Sequence, residues 1–398
     1  MNLELSQEQE FLRDAARDAL GRVKTVEAAR EALGDPGARP DLWPTACEAG
    51  WAGLIVSEEH GGAELGAFDA MLVMIEAGRV LAGIELLGHL PASALLNAGG
   101  YGDLGAIAEG VKRAAWLPTR PPTDDVPSWT VEARGGSRRA PAVALDGDRL
   151  SGTVAWVPDA PGADVLVVIG VDAGGEVAAL AVDATQAGVS VEAVTRYDAT
   201  RSLGHVTLDG ATGQRLALDA QGIAHAWYFA QTLLAAEGIG TVETCLASSV
   251  AYAKERFTFG RAIGSYQAVK HALVEVLRRR ENAYSLLVYA GWSHEDRRDE
   301  FPLAASAARA AASAALDYAA RELISVHGGI GATWEHDAPL YFRRAQLSRR
   351  LLGGMGDATD RVAGELLAKA GAAQAPLRGT IGRSGSLSEA DRPIVAPG

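Results

Sequence analysis

The sequence predicts an α+β protein in which a small β domain lies between two helical domains. Apolar residues recur at helical spacing through the first hundred residues and again from residue 217 onward. Between these regions, alternating apolar runs are separated by Asp-Gly and Gly-Gly turns, a pattern typical of antiparallel strands. We therefore expect an N-terminal helical domain, a middle antiparallel β domain, a C-terminal helical bundle and a flexible tail, over residues 1–111, 112–216, 217–370 and 371–398.

The N-terminal domain is predicted to contain helices over residues 5–32, 42–51, 68–80 and 84–97. Ser6 has the side chain of an N-cap residue for the first helix, and Gly50 is expected to end the second. The predicted apolar face of the first helix consists of Phe11, Ala15, Ala19 and Val23.

The middle domain is predicted as a meander of strands, from the runs VALDGDRLSG, TVAWV, DVLVVIGV, VAALAVD and VSVEAV. In the C-terminal bundle, the small residues Ala235, Gly238 and Gly240 should allow a neighbouring helix to approach the first helix closely. Further helices are expected over residues 271–288, 302–324, 339–352 and 359–369.

Composition excludes several classes of protein. The net charge of −13 makes nucleic acid and anionic membrane surfaces unsuitable partners. The two cysteines show no metal spacing and fit a reducing cytosol. The start lacks the basic and apolar segments of a signal peptide, and no apolar run approaches the roughly 20 residues of a membrane span. We therefore expect a cytoplasmic protein with no membrane partner.

Residues 252–273, YAKERFTFGRAIGSYQAVKHAL, combine arginine, aromatic residues and glycine with a new helix that carries Gln267. A guanidinium can pair with phosphate oxygens, glycine allows a close backbone approach, and a helix N-terminus adds positive potential. The pattern therefore indicates a pyrophosphate contact. A helical hairpin with a solvent-exposed basic corner accounts for the same residues.

The stretch resembles the R-x-x-F-G…Q-x-x-x-x-x-L signature of the acyl-CoA dehydrogenase family, and VHGGIGATWEHDAPLYFRR resembles that family's G-G-x-G-x-x-x-E segment. The resemblance implies a tetramer in which FAD crosses a subunit interface. One subunit holds the flavin ring, and its neighbour contacts the pyrophosphate and adenosine. The residues here that match the neighbour's set are Arg256, Thr258, Phe259, Gln267, Gly328 and Gly329.

The same resemblance implies a catalytic glutamate at one of two positions, which are occupied here by Ala230 and Leu352. Neither residue can take a proton, so no catalytic residue is predicted. The family's T-E-P-x-x-G-S-D loop has no convincing counterpart in WLPTRPPTDDVPSW, and its flavin-facing W-[IV]-[TS] element is Trp156-Val157-Pro158. Proline supplies neither a hydroxyl nor an N–H group there.

The chain therefore resembles the non-catalytic partner in α2β2 acyl-CoA dehydrogenases of bacterial sterol side-chain breakdown. This implies a homologous catalytic subunit as partner, FAD shared across the interface, and dehydrogenation of an acyl-CoA, for which a steroid-CoA is the candidate. Two alternatives remain open: a self-sufficient dehydrogenase with a relocated base, for which Glu237 is the candidate, and a non-enzymatic scaffold with the same fold.

Other polar residues have ordinary structural interpretations. Glu237 is expected to form a salt bridge, Asp357 to begin a helix, and His327 either to close a helical turn or to stack near adenine. Residues 335–337 do not have metal-ligand spacing, so no metal site is predicted. Arginines 343 and 344 are predicted at an interface or in solvent, and arginines 278–280 on a solvated helix face.

Overall fold

The computed structural model describes residues 4–124, 140–194 and 196–374. The segment 125–139, part of the proline-rich start of the predicted β domain, lies outside the described residues, as do residues 375–398 of the predicted tail. The last helix continues to residue 374, so the first four residues of the predicted tail are helical. The boundaries drawn at residues 112 and 217 stay predictions.

The chain begins with helices that surround an apolar core. Ser6 caps the first of them, and its hydroxyl accepts a hydrogen bond from the Gln9 N–H at 3.2 Å. The bounds of this group are α1 (Gln7–Gly21), α2 (Thr25–Glu31), α3 (Trp43–Glu48), α4 (Ala67–Arg79), α5 (Leu86–Ala98) and α6 (Leu104–Ala108).

Two predictions about this region are wrong. The predicted helix over residues 5–32 is interrupted between α1 and α2. Its apolar face is also rotated, because Ala16 and Leu20 are buried in the core while Phe11 is 75% exposed. The rotation places Arg17 against the buried Glu76 of α4, with Nη2 and Oε1 3.0 Å apart. This ion pair depends on a residue distant in sequence, and local periodicity does not reveal it.

The middle region forms an eight-stranded sheet in the order β6-β7-β3-β2-β4-β5-β8, with β1 beside β4. Most neighbouring strands are antiparallel, as predicted. However, β4 pairs in parallel with both β1 and β2, so the simple meander is wrong. The strands are β1 (Ala114–Trp116), β2 (Val143–Asp146), β3 (Arg149–Pro158), β4 (Val165–Val171), β5 (Val177–Asp183), β6 (Val189–Ala193), β7 (Leu203–Thr212) and β8 (Gln214–Arg215).

A 36-residue helix, α7 (Ala220–Glu255), runs through the C-terminal region and is buried over most of its length. The predicted close approach is present, because a Cβ atom added at Gly240 would clash with the Ile75 carbonyl of α4. After α7 come β9 (Phe257–Thr258), β10 (Arg261–Ala262), α8 (Gln267–Asp296), α9 (Phe301–His327), α10 (Ala338–Ser348) and α11 (Gly354–Gln374). Within the described ranges, no helix is long and apolar enough to cross a membrane.

The packing of α7 against α8 brings two histidines into direct contact. The Nε2 atoms of His225 and His294 lie 2.6 Å apart, so one neutral ring donates to the other. Burial lowers the pKa of His225 to about 4 and that of His294 to about 3, and the nearby Arg298 guanidinium acts in the same direction. Burial also lowers the pKa of His89 to about 4.

These histidines predict a loss of stability in mild acid. Their folded-state pKa values lie below the unfolded value, so the unfolded chain binds protons first as the pH falls. The stability that they contribute above about pH 6.5 should fall by about 2 kcal/mol for each of the three histidines, on the order of 6 kcal/mol together, between pH 6.5 and 4.5. Urea denaturation at several pH values measures this. The double variant His225→Gln/His294→Gln should have a shallower pH dependence, and an unchanged slope would contradict this assignment.

Candidate functional site

The two positions that resemblance assigns to a catalytic base lie side by side. Ala230 on α7 is fully buried, and Leu352, in the short turn between α10 and α11, is 1% exposed. The adjacent Gln231 donates from Nε2 to the Leu352 carbonyl at 2.7 Å. Arg309 donates to the Leu351 carbonyl at 3.2 Å, which further ties this turn to the bundle. The shared position is therefore apolar and held closed by hydrogen bonds to the backbone.

Glu237 belongs to a buried ion-pair cluster. Its Oε1 atom lies 2.6 Å from Nη1 of Arg344, and its Oε2 atom pairs with Arg201. Arg344 also pairs through Nε with Asp198 at 2.8 Å. All four side chains are at most 4% exposed. The predicted salt bridge of Glu237 is confirmed, and both of its carboxylate oxygens are engaged by arginines.

The cluster corrects the prediction that Arg344 lies at an interface or in solvent, whereas the same prediction for the half-exposed Arg343 stays a prediction. Arg344 is buried at the centre of the cluster, while Arg343 donates from Nη1 to the Tyr197 carbonyl at 2.7 Å. A solvated face is likewise wrong for Arg280, whose Nε donates to Glu243 of α7 at 2.8 Å. No local motif distinguishes these arginines from exposed ones, since their partners lie far away in sequence.

The side of the chain that would face a flavin ring is occupied by its own charged groups. The Arg196 guanidinium lies 3.7 Å from the centre of the Trp156 ring. Further along, the 117–124 segment is tied to α11, because Arg120 pairs with Asp357 at 2.5 Å and Asp124 pairs with Arg361. Asp357 is in the first turn of α11, as predicted. Trp156 is thus half-buried beneath Arg196, and Arg120 and Asp124 are engaged in ion pairs with α11.

The arginine stretch, residues 252–273, presents exposed side chains instead. A two-residue turn joins β9 to β10, and its Phe259 side chain is 98% exposed. Arg256, which ends α7, makes no ion pair with any residue in the described ranges, and neither does Arg261, whose guanidinium stacks 3.9 Å from the Tyr266 ring. Two uncompensated arginines on a chain of net charge −13 form a local positive corner.

The backbone at Phe259 is strained. Its φ angle is +50°, a left-handed conformation that costs a side-chain-bearing residue about 1 kcal/mol or more. Replacing Phe259 with glycine should therefore stabilise the isolated chain by up to about 1 kcal/mol, measured by thermal unfolding. The neighbouring Phe257→Gly variant, in strand β9, is the matched control and should be destabilised. If both variants were destabilised equally, the backbone strain assigned to Phe259 would be contradicted.

The N-terminus of α8 adds to the positive corner. Tyr266 precedes the helix without a side-chain cap, and the first turn contains no acidic residue. The free N–H groups of a 30-residue helix therefore point outward beside Gln267. A groove of about 500 Å³ runs between the hairpin, α8 and the end of α9, lined by Thr258, Phe259, Ile263, Tyr266, Val269 and Ser325 among others, and also by the acidic Glu322.

Aromatic stacking brings the second glycine segment to the same corner. Tyr252, one turn before Arg256, lies 4.3 Å from the ring of His327, the last residue of α9. His327 bonds through Nδ1 to the Leu323 carbonyl and also stacks on His336 at 4.2 Å. It therefore closes a helical turn. Within the described part of the chain, no group of His, Cys, Asp and Glu side chains could hold a metal ion.

Gly328 and Gly329 follow His327 directly, and a Cβ atom at either would meet no atom of the described residues within 4 Å, apart from its immediate chain neighbours. The backbone there is open to a ligand, and Gly328 has a φ of +62°, which favours glycine. The predicted residues thus lie on two segments that meet at one exposed, basic corner. Their roles as cofactor contacts stay predictions.

Two domain families together match most of the chain. The family described as acyl-CoA dehydrogenase, N-terminal domain, matches residues 6–100, and acyl-CoA dehydrogenase, C-terminal domain, matches residues 224–376. The acyl-CoA dehydrogenase IpdE2 of Mycolicibacterium smegmatis is 33% identical over 353 residues, which cover 88% of this chain and 96% of that protein. FadE34 of Mycobacterium tuberculosis is 35% identical over 335 residues, which cover 77% of this chain and 45% of FadE34.

Solved structures give the same fold. The Tcur3481-Tcur3483 steroid ACAD, as its G363A variant, has a TM-score of 0.80 and 27% identity, covering 92% of this chain and 99% of the matched one. The ChsE4-ChsE5 complex of Mycobacterium tuberculosis has a TM-score of 0.78 and 24% identity, covering 92% and 99%. PigA, solved with FAD and proline, has a TM-score of 0.79 and 22% identity, covering 93% and 100%.

Proposed function

This chain belongs to the acyl-CoA dehydrogenase family, and from that membership we propose that it is the non-catalytic subunit of a mixed α2β2 enzyme. In the proposed assembly, it supplies the pyrophosphate and adenosine half of an FAD site, and a homologous subunit supplies the flavin-ring half and the base. The observation that carries the proposal is the contrast between Arg256, which is exposed and has no ion pair with any described residue, and the buried Ala230–Leu352 position, where neither residue can accept a proton.

The exposed corner suits the phosphate role. Arg256 can form two parallel hydrogen bonds to a pyrophosphate, the N–H groups at the start of α8 can donate to its oxygens, and Gly328 with Gly329 allows close backbone contact. Phe259 is presented to a partner at the hairpin tip. Bound FAD supplies the electron acceptor for the two electrons and the hydrogen that leave the acyl-CoA as its α,β-bond is oxidised.

The chain's own ring-side cleft does not fit the same group. Arg196 covers Trp156, Pro158 offers no N–H donor, and the ion pairs of Arg120 and Asp124 bind the 117–124 segment to α11. We therefore assign the chain no flavin ring and no catalytic residue of its own. Because only the two homologous catalytic subunits would hold a flavin ring, the proposed tetramer contains two FAD molecules.

Relatives support the mixed assembly and its substrate class. The Tcur3481-Tcur3483 steroid ACAD carries two protein names and is 27% identical to this chain. FadE34 is more than twice as long as the region it shares with this chain, which leaves room for a second unit of the same size. By analogy, the proposed substrate is a steroid acyl-CoA, and the proposed location is the cytoplasm.

Co-expression with a homologous acyl-CoA dehydrogenase chain that retains the catalytic base tests the proposal. We expect the purified mixed tetramer to contain two flavins and to oxidise acyl-CoA, and this chain alone to contain none. Flavin absorbance per protein mass and turnover with an artificial electron acceptor are the measurements. Stoichiometric flavin and turnover from this chain alone would refute the proposal and favour a self-sufficient enzyme. A mixed complex that never contains flavin would favour a scaffold.

A further inference from the structure

A second cavity, of about 500 Å³, lies between α5, the first turns of α7 and the α8–α9 connection. His225 and Phe229 of α7 line it. Gln231 and Trp227 project from a different face of α7, since Gln231 bonds to Leu352 and Trp227 packs against Trp116. None of Ala230, Leu352 and Arg256 lines the cavity, which is therefore distinct from the Ala230–Leu352 position and from the arginine corner. Its volume is within the range of small-molecule sites.

The cavity combines apolar walls with several polar side chains, which include a pair of hydrogen-bonded histidines. Leu95, Phe229 and Phe301 form part of the wall, and the ring centres of Phe301 and His294 lie 4.9 Å apart. The hydrogen-bonded His225–His294 pair also lines it. The Nδ1 atom of His294 is buried and has no hydrogen-bond partner among the described residues. One polar atom in the wall is thus left unsatisfied by the protein.

The cavity lining also includes a cation without a counterion. Arg298 is exposed and forms no ion pair with any residue in the described ranges, whereas its neighbour Arg297 pairs with Glu300. The lining carboxylate of Asp219 is engaged, because it accepts the Gly222 N–H at 2.8 Å and caps α7. The Glu295 carboxylate, which does not line the cavity, is hydrogen-bonded to the Ala67 backbone. Arg298 is therefore the lining charge that remains available to a ligand.

We propose that this cavity binds a small amphipathic monocarboxylate. The apolar chain of the ligand lies against Leu95, Phe229 and Phe301, and its carboxylate pairs with Arg298. An apolar enclosure excludes water from the chain, and a guanidinium–carboxylate pair is stronger than a neutral hydrogen bond. The proposal does not depend on FAD, on the partner subunit or on the arginine corner.

Isothermal titration of the purified chain with octanoate and with 1-octanol tests the charge requirement. Octanoate should bind saturably, and 1-octanol should bind at least about tenfold more weakly, because it cannot form the ion pair. Arg298→Gln should weaken octanoate binding by a similar factor and leave 1-octanol binding unchanged. Arg22→Gln, at an exposed arginine outside the cavity lining, is the matched control and should bind octanoate normally.

Filling the cavity tests the location. Ala94 lines the cavity, and Ala94→Phe should abolish octanoate binding while the helical circular dichroism signal is retained. If that variant does not fold, ligand-induced changes in the imidazole NMR signals of His225 and His294 in the unmodified chain provide the same test. No binding, or equal octanoate binding in the Arg298→Gln and unmodified chains, would overturn the proposal. The flavin content of the mixed complex should be unaffected by Arg298→Gln, which separates this test from that of the proposed function.

Discussion

Replacing Arg256 with alanine is expected to empty the mixed complex of FAD while leaving the complex assembled. The guanidinium forms no ion pair with the described residues, so in the proposed assembly its role is intermolecular. Loss of a charge-assisted, two-point phosphate contact should raise the dissociation constant for FAD about ten- to hundredfold. Flavin absorbance after gel filtration, together with titration of the flavin-free complex with FAD, measures the effect.

Two further substitutions sharpen this test. Arg256→Lys should retain part of the affinity, because an ammonium group keeps the charge but loses the planar two-point geometry. Arg278→Ala is the matched control, since that arginine pairs with Glu275 on the same helix and lies outside the proposed contact set. If Arg256→Ala binds FAD as tightly as the Arg278→Ala control, the donor role assigned to this corner is wrong.

Features that depend on neighbouring residues could be predicted from the sequence. The cap at Ser6 and the turn at Gly50 follow from side-chain chemistry and from glycine's access to a positive φ. The helix–turn–helix character of the arginine stretch and the close packing at Gly240 follow from spacing and side-chain size. Resemblance supplied the family and identified the unusual residues Ala230 and Leu352.

Features that depend on distant residues could not be predicted in this way. Arg343 and Arg344 are identical in type and adjacent, yet only Arg344 is buried, because Asp198 and Glu237 lie more than a hundred residues before it in the chain. The contact between His225 and His294 spans 69 residues. The parallel pairing of β2 with β4 likewise depends on chain topology, to which strand periodicity is insensitive.

The buried cluster around Arg344 predicts the largest change in stability. Its two arginines balance two carboxylates, and removal of Arg344 would leave Asp198 buried without its partner and Glu237 with one arginine. Arg344→Ala should lower the free energy of unfolding by about 3–5 kcal/mol, measured by guanidinium denaturation. Arg343→Ala is the adjacent control and should cost only about 1–2 kcal/mol, because it removes one partly exposed hydrogen bond and a cation–π contact with Trp334.

Substitutions in the cluster also distinguish a structural role of Glu237 from a catalytic one. Arg344→Met/Asp198→Asn should be more stable than Arg344→Met alone, because the second change removes the stranded charge. Glu237→Gln should be destabilised, yet the mixed complex that still assembles should turn over at the unmodified rate, since both oxygens of Glu237 are bound to arginines rather than available to a substrate. A large loss of turnover per folded complex, with little loss of stability, would instead identify Glu237 as the relocated base.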